Sequence, residues 1–232
     1  MGEAILKRER VRDHLLELIE THPAGAPIPA ERVLCQQLSV SRPTVRSAVE
    51  ELVNTGLLIR QHGRGTFVAR PKIAQEMVSG PMSLPQASGT WESRVLEHAR
   101  IPAGARVGRR LHLSPAAEIH YIARLRLVDG EPMAIEYLHV PTEVAPALTL
   151  HDMESGDFYE RLREHGVKVS EAVQSIEPTV TNESEAALLA VPVFAPALLF
   201  ERLTTDAEGR QVEYVHSIYR GDRYKIVSRL TF

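Results

Sequence analysis

Residues 28–68 read IPAERVLCQQLSVSRPTVRSAVEELVNTGLLIRQHGRGTFV, and this stretch constrains the fold more than any other. Ala30–Leu38 places Val33, Leu34 and Leu38 at helical spacing, Ser39-Val40-Ser41 makes a turn, and the next helix puts Val45, Ala48, Val49, Leu52 and Val53 on one stripe. Ser41 stands at the N-cap of that helix, Pro43 falls in its first turn where a missing N–H is tolerated, and Gly56 reads as its C-cap. Leu57–Arg60 and Thr66–Val68 then flank a tip of Gln61-His62-Gly63-Arg64-Gly65, the pattern of a hairpin. Upstream, Leu6–Glu20 is amphipathic, and His22-Pro23-Ala24-Gly25-Ala26-Pro27 breaks it. Helices and hairpin in this order predict a winged helix-turn-helix.

The polar face of the third helix carries Arg42, Thr44, Arg46 and Ser47. Arginine forks onto guanine edges or phosphate, and short hydroxyls bond phosphate without blocking approach. Two arginines on a helix are ordinary by themselves, and a solvated face would need no more. The hairpin tip changes the weight, because glycines on either side of Arg64 let a cation approach a narrow minor groove closely. Double-stranded DNA is therefore the first partner to consider.

Three segments, Pro29-Ala30-Glu31-Arg32, Ser41-Arg42-Pro43-Thr44-Val45-Arg46 and Gly63-Arg64-Gly65-Thr66-Phe67-Val68, resemble in order and spacing the signatures of the GntR-type bacterial repressors. The resemblance implies operator contacts from Arg32, Arg42, Thr44 and Arg46, with Gly65 entering the minor groove; Ser41 and Arg64 are further candidates for DNA contact beside them. Ala30 replaces a serine usual in that family.

Charge is divided unevenly along the chain. Residues 1–72 hold eleven Lys/Arg against eight Asp/Glu, whereas the whole chain is at −3, so a mildly basic head precedes an acidic body. Hydrophobic content of 44% supports real cores, but no apolar run reaches the roughly 18 residues of a membrane span. No signal-peptide pattern opens the chain, and the single cysteine, Cys35, forms no internal disulfide; the expectation is a cytoplasmic protein without a membrane partner. Cys35 reads as a small apolar residue of the second helix.

Pro71-Lys72 ends the hairpin, and Ile73–Thr90, with scattered Gly, Pro and Ser, reads as a linker of modest order. The expected division is 1–70 for the winged helix, 71–90 for the linker and 91–232 for a second domain. In that domain Ser93–His98 begins a strand and Ala105–Leu113 is helical. Ile119–Val128 alternates, with Ile119, Tyr121, Ala123, Leu125 and Leu127 on one side and His120, Ile122, Arg124, Arg126 and Val128 on the other. Asp129-Gly130 is a two-residue hairpin turn into Met133–Val140. Short helices are expected at Phe158–His165 and Glu183–Ala190, and strands at Val167–Pro178, Ala197–Asp206, Val212–Arg220 and Tyr224–Thr231. Turns at Glu208-Gly209 and Gly221-Asp222 join the late strands, so the class is α+β with a largely antiparallel sheet.

Arg124-Leu125-Arg126, Gly130-Glu131-Pro132-Met133-Ala134-Ile135-Glu136 and Val212-Glu213-Tyr214 with Tyr219-Arg220-Gly221-Asp222-Arg223-Tyr224-Lys225 resemble the UTRA effector domain, a chorismate-lyase-like fold, of the HutC subfamily of GntR regulators. The last two segments look most like its amino-sugar regulators, the DasR and NagR type. The resemblance implies a homodimer on a palindromic operator and a small effector, N-acetylglucosamine 6-phosphate or glucosamine 6-phosphate, near Arg124, Arg126, Glu136, Asp157, Tyr159 and Tyr224. The residues support part of this directly. Arg124 and Arg126 are two apart on a strand, so both guanidiniums leave one face and can converge on one anion. Glu136, one hairpin away, can accept bonds from a hydroxyl or amide. The chain also departs from the pattern. Asp157 stands where the amino-sugar regulators have a serine, and Gly80-Pro81-Met82-Ser83 and a lone Trp91 replace their phosphate-contacting segment. A carboxylate beside phosphate is repulsive, so a different sugar phosphate, an unphosphorylated sugar or another polar metabolite stays open.

Ten histidines form no H-E-x-x-H motif and no zinc spacing with the one cysteine, and no phosphate-binding or nucleophile-elbow motif occurs. No metal, cofactor or catalytic residue is expected. Two other readings stay open on the residues alone: a lyase whose Arg124 and Arg126 clamp substrate carboxylates, and a ligand-independent plasmid or prophage-type repressor.

Overall fold

The computed structural model describes residues 2–61, 63–77, 89–154, 158–164 and 166–228. Contacts divide the chain into two compact units, Met1–Ala74 and Gln75–Phe232. In the first, helices α1 (Gly2–Thr21), α2 (Glu31–Leu38) and α3 (Arg42–Asn54) enclose Val11, Leu15, Leu34, Val45, Ala48, Val49 and Leu52, which are essentially sealed from solvent. The tight α2–α3 turn comes from Ser39, whose φ of 52° is left-handed, and from the Val40 N–H donating to the Cys35 carbonyl. Ser41 occupies the N-cap position in extended backbone but makes no capping bond; its hydroxyl pairs instead with that of Thr44 at 2.8 Å. Thr55 is the C-cap of α3, and Gly56, at φ 74°, turns the chain immediately after it.

Strands β1 (Leu58–Gln61) and β2 (Gly65–Val68) form the expected antiparallel hairpin. The Pro/Gly segment that breaks α1 has a second task. Gly25 and Ile28 donate to the Val68 and Thr66 carbonyls, and Val68 donates back to Ala26, so the segment lies along β2 as a third, irregular strand. Strand β3 (Ile73–Met77) falls inside the stretch that composition reads as linker.

In the second unit, β4 (Trp91–Pro102), β5 (Glu118–Val128), β6 (Glu131–Pro141), β7 (Val169–Val180), β8 (Pro196–Asp206) and β9 (Gln211–Arg220) build one antiparallel sheet in the order β4-β5-β6-β9-β8-β7. Helices α4 (Gly104–Leu111) and α7 (Glu183–Leu189) cover one face, with Leu111 and Leu189 buried. Helices α5 (Leu150–Glu154) and α6 (Phe158–Glu164) cover the other, bringing Met153, Phe158 and Leu162 onto Ile122, Leu138 and Val215. Since both faces are covered, β5 is buried on both sides, and its alternation separates two interiors. The Asp129-Gly130 turn, with φ of 51° and 77°, sets the β5–β6 register and so pairs Arg124 with Glu136.

One connection differs from expectation. β10 (Tyr224–Ser228) leaves the main sheet and forms a two-stranded ribbon with β3. The turn after β9 is held against β8. The Gly221 N–H donates to the Pro196 carbonyl, and a Cβ at Gly221 would lie 2.7 Å from that oxygen, so only glycine fits. Arg220 clasps Asp222 at 2.6 Å, and Arg223 reaches Glu131 at 2.8 Å, which carries the chain across β6 instead of back along β9.

Candidate functional site

In the first unit, Arg42 and Arg46 project from the exposed face of α3, and the buried face fixes their direction. Arg32, Arg42, Arg64 and Gly65 line one shallow cleft between the starts of α2 and α3 and the hairpin. Thr44, Ser41 and Arg46 lie outside that cleft on the same helix or its cap. Arg46 reaches Glu50 one turn on at 3.2 Å, and its side chain keeps 64% of its surface exposed. At the tip, Gly63 (φ 70°) and Gly65 (φ 120°) hold left-handed backbone, and the Arg64 guanidinium sits 5.9 Å from the Phe67 ring centre. Arg60, which the sequence did not single out, also lines the cleft and pairs loosely with Glu31 and Glu50 at 3.4 and 4.0 Å. Its place on β1 beside a hydrophobic neighbour hid it among ordinary strand residues.

The second unit holds a cavity of about 370 Å³ on the face covered by α5 and α6. This lies within the size range of small-ligand pockets. Arg124, Arg126, Glu136 and Tyr224, all singled out from sequence, line it. Arg124 Nε donates to Glu136 Oε2 at 2.6 Å, Arg126 Nη1 lies 3.5 Å from the same oxygen, and the Tyr219 hydroxyl donates to Glu136 Oε1 at 3.1 Å. Burial alone would push the Glu136 carboxyl up, but the charges of Arg124 and Arg126 outweigh it and hold the group down at about 2. Glu136 is thus a fixed anion. One carboxylate serves two guanidiniums, and Arg124 Nη1 and Arg126 Nε are buried without a hydrogen-bond partner among the described residues. Donors stranded in this way inside a cavity favour an oxyanion as its occupant.

The Tyr224 hydroxyl donates to Gln75, and burial raises its pKa. Tyr159 is buried but is not part of the cavity wall; its hydroxyl donates to the carboxylate of Glu213, behind the wall. Asp157 lies outside the described residues. Trp91, at the start of β4, stacks on Arg126 with the guanidinium 5.2 Å from the ring centre. The sequence did not single out Gln174, Phe200, Arg202, Ser217 or Tyr219, which also line the cavity. They come from β7, β8 and β9, and each alone looks like an ordinary strand residue. The available signal was parity: Arg202 lies two residues from Phe200 and from Thr204, so it shares their face of the sheet.

Both parts of the chain match families of known proteins. Residues 7–68 match the family described as bacterial regulatory proteins, gntR family, and residues 86–225 match the UTRA domain. The HTH-type transcriptional repressor NagR of Bacillus subtilis is 37% identical over 204 residues, 87% of this chain and 84% of that protein. The HTH-type transcriptional repressor PhnF of Mycolicibacterium smegmatis is 31% identical over 94% of this chain and 90% of its own length. The crystal structure of PhnF from Mycobacterium smegmatis superposes with a TM-score of 0.65 at 28% identity, covering 95% of this chain and 99% of that one. With a winged helix-turn-helix at one end and an effector domain at the other, the chain belongs to the GntR family of bacterial transcriptional regulators, in its UTRA-containing HutC subfamily.

Proposed function

We propose that this regulator is a cytoplasmic repressor that binds a palindromic operator as a homodimer and is controlled by a small anionic metabolite held in the cavity of its second unit. In this reading Arg32, Ser41, Arg42, Thr44, Arg46, Arg64 and Gly65 meet the DNA. Arg42 and Arg46 enter the major groove and the glycine-flanked Arg64 reaches the minor groove. NagR and PhnF both carry the name of repressor, which supports the direction of control. Arg124, Arg126, Glu136 and Tyr224 hold the effector, an amino sugar or sugar phosphate such as glucosamine 6-phosphate or N-acetylglucosamine 6-phosphate.

The observation that carries the effector reading is a pair of arginines, Arg124 buried and Arg126 half-buried, sharing a single carboxylate in the cavity wall with buried donors left over. Control requires that the effector bind one arrangement of the two DNA-binding heads more tightly than another, with residues 71–90 as the connecting hinge. A thermal-shift screen of amino sugars, sugar phosphates and carboxylates tests it, since a ligand that binds only the folded state raises the melting temperature. The expected result is a shift with glucosamine 6-phosphate or its N-acetyl form that Arg124→Ala abolishes. A shift that persists unchanged in Arg124→Ala, or no shift with any anion, rejects the assignment.

A further inference from the structure

Glu213 is a carboxylate with no solvent exposure, set behind the cavity on β9. Its Oε1 accepts from Thr204 at 2.9 Å, from Arg202 Nε at 3.2 Å and from the Tyr159 hydroxyl. Burying a charge at this depth is costly unless it is paired, and Arg202 is its only cationic partner among the described residues. The bond takes Arg202 by its Nε, and the guanidinium lies 5.5 Å from the Tyr159 ring centre. The Arg202 side chain keeps 16% of its surface, and Arg202 lines the cavity. Glu213 therefore anchors Arg202, a residue of the cavity wall, from behind.

The sheet register shows which groups stand near it. Arg124, Glu136, Ser217 and Phe200 lie in one row across β5, β6, β9 and β8, and Arg202 stands on the adjacent rung of the same face, opposite Val215. Backbones three strands apart are separated by roughly 14 Å. Two arginine side chains reaching inward from β5 and β8 close much of that span. Glu136 and Tyr219, between them, both feel the Arg202 charge.

We infer that Arg202 is a third arginine of the effector site, so that the cavity grips a phosphoryl group from both β5 and β8. A phosphoryl group offers three terminal oxygens to three guanidiniums, whereas a carboxylate offers two. The inference rests on the reading of this cavity as the effector site.

Inorganic phosphate is the probe, titrated by calorimetry into the full-length protein at constant ionic strength, with acetate in a parallel arm. Arg202→Gln alone strands Glu213 and can destabilise the fold, so the informative variant is the double Arg202→Gln, Glu213→Gln, which removes both buried charges together. The double variant is expected to melt close to the unmodified protein yet bind phosphate roughly tenfold or more weakly, the worth of a charge-assisted hydrogen bond. Acetate is expected to bind more weakly than phosphate and to lose less. If the double variant binds phosphate as well as the unmodified protein while Arg124→Gln does not, Arg202 is only structural and the inference falls alone. If acetate matches phosphate, the phosphoryl assignment falls. If the unmodified protein binds neither anion, the effector reading falls with it.

Discussion

Arg46 on α3 keeps 64% of its side-chain surface and leans on Glu50, whereas Arg124 on β5 keeps 4% and is held by Glu136 at 2.6 Å. On the proposed function, the same residue type does two jobs because the partners differ. A duplex supplies its own array of anions, so an arginine that reads it needs reach and freedom, and its intramolecular ion pair is a weak, solvent-screened one. A small metabolite supplies one or two charges and must be enclosed. The body therefore holds its cations in place in advance, two of them sharing one carboxylate. Affinity in the head is left to the partner; in the body it is prepared by the fold.

The largest effect that tests this contrast is expected from Glu136→Ala. Removing the carboxylate leaves the buried Arg124 and the half-buried Arg126 uncompensated, and urea denaturation should show a loss of about 3–5 kcal/mol. A loss no larger than that of an exposed ion pair would break the comparison. Next comes Arg46→Ala. It should weaken operator binding by about 1–3 kcal/mol, measured by fluorescence anisotropy, while leaving the melting temperature unchanged. Equal affinity on the operator would remove Arg46 from base reading.

Acid should act on the body through its histidines before it reaches Glu136. Burial lowers the pKa of His139 and brings His216 down to about 4, so the fold favours their neutral forms. Their contribution is present above the ordinary histidine value of 6.5 and is lost as pH falls from there toward 4, because the unfolded chain takes up protons that the folded one refuses. Thermal melts should therefore fall between pH 7.5 and 5, and His216→Asn should flatten that slope. Glu136 adds a further loss only below its ordinary 4.5, as pH approaches 2. The smallest effect is expected from Glu50→Gln, which loosens the exposed pair to Arg46 and should change stability by no more than about 0.5 kcal/mol. A larger loss would mean that the head, too, is held by its charges.

Legibility follows the same division. Arg42, Thr44 and Arg46 fall within five residues on one helix, and Gly63-Arg64-Gly65 is a single tip, so local periodicity was enough to place them on exposed elements. Arg124 and Glu136 were readable because one two-residue turn sets their register. Arg202 and Tyr219 were not, since they join Glu136 around one cavity only after β9 inserts between β6 and β8. Tyr159 was read as facing the effector, but its hydroxyl is taken by Glu213, fifty-four positions away in sequence. The pairing of β10 with β3 was equally hidden, for it depends on Gly221 turning against Pro196.

By itself, then, the sequence determined the winged helix-turn-helix, the β5–β6 hairpin and the α+β class, because hydrophobic period, turn residues and short-range register are all encoded within about a dozen residues. The tertiary structure alone decided that both faces of β5 are interior, that β10 leaves the sheet for β3, and that Arg202, paired with Glu213, lines the same cavity as Arg124. Those outcomes depend on which strands become neighbours, and strand order is a property of the whole packed sheet that no local window contains.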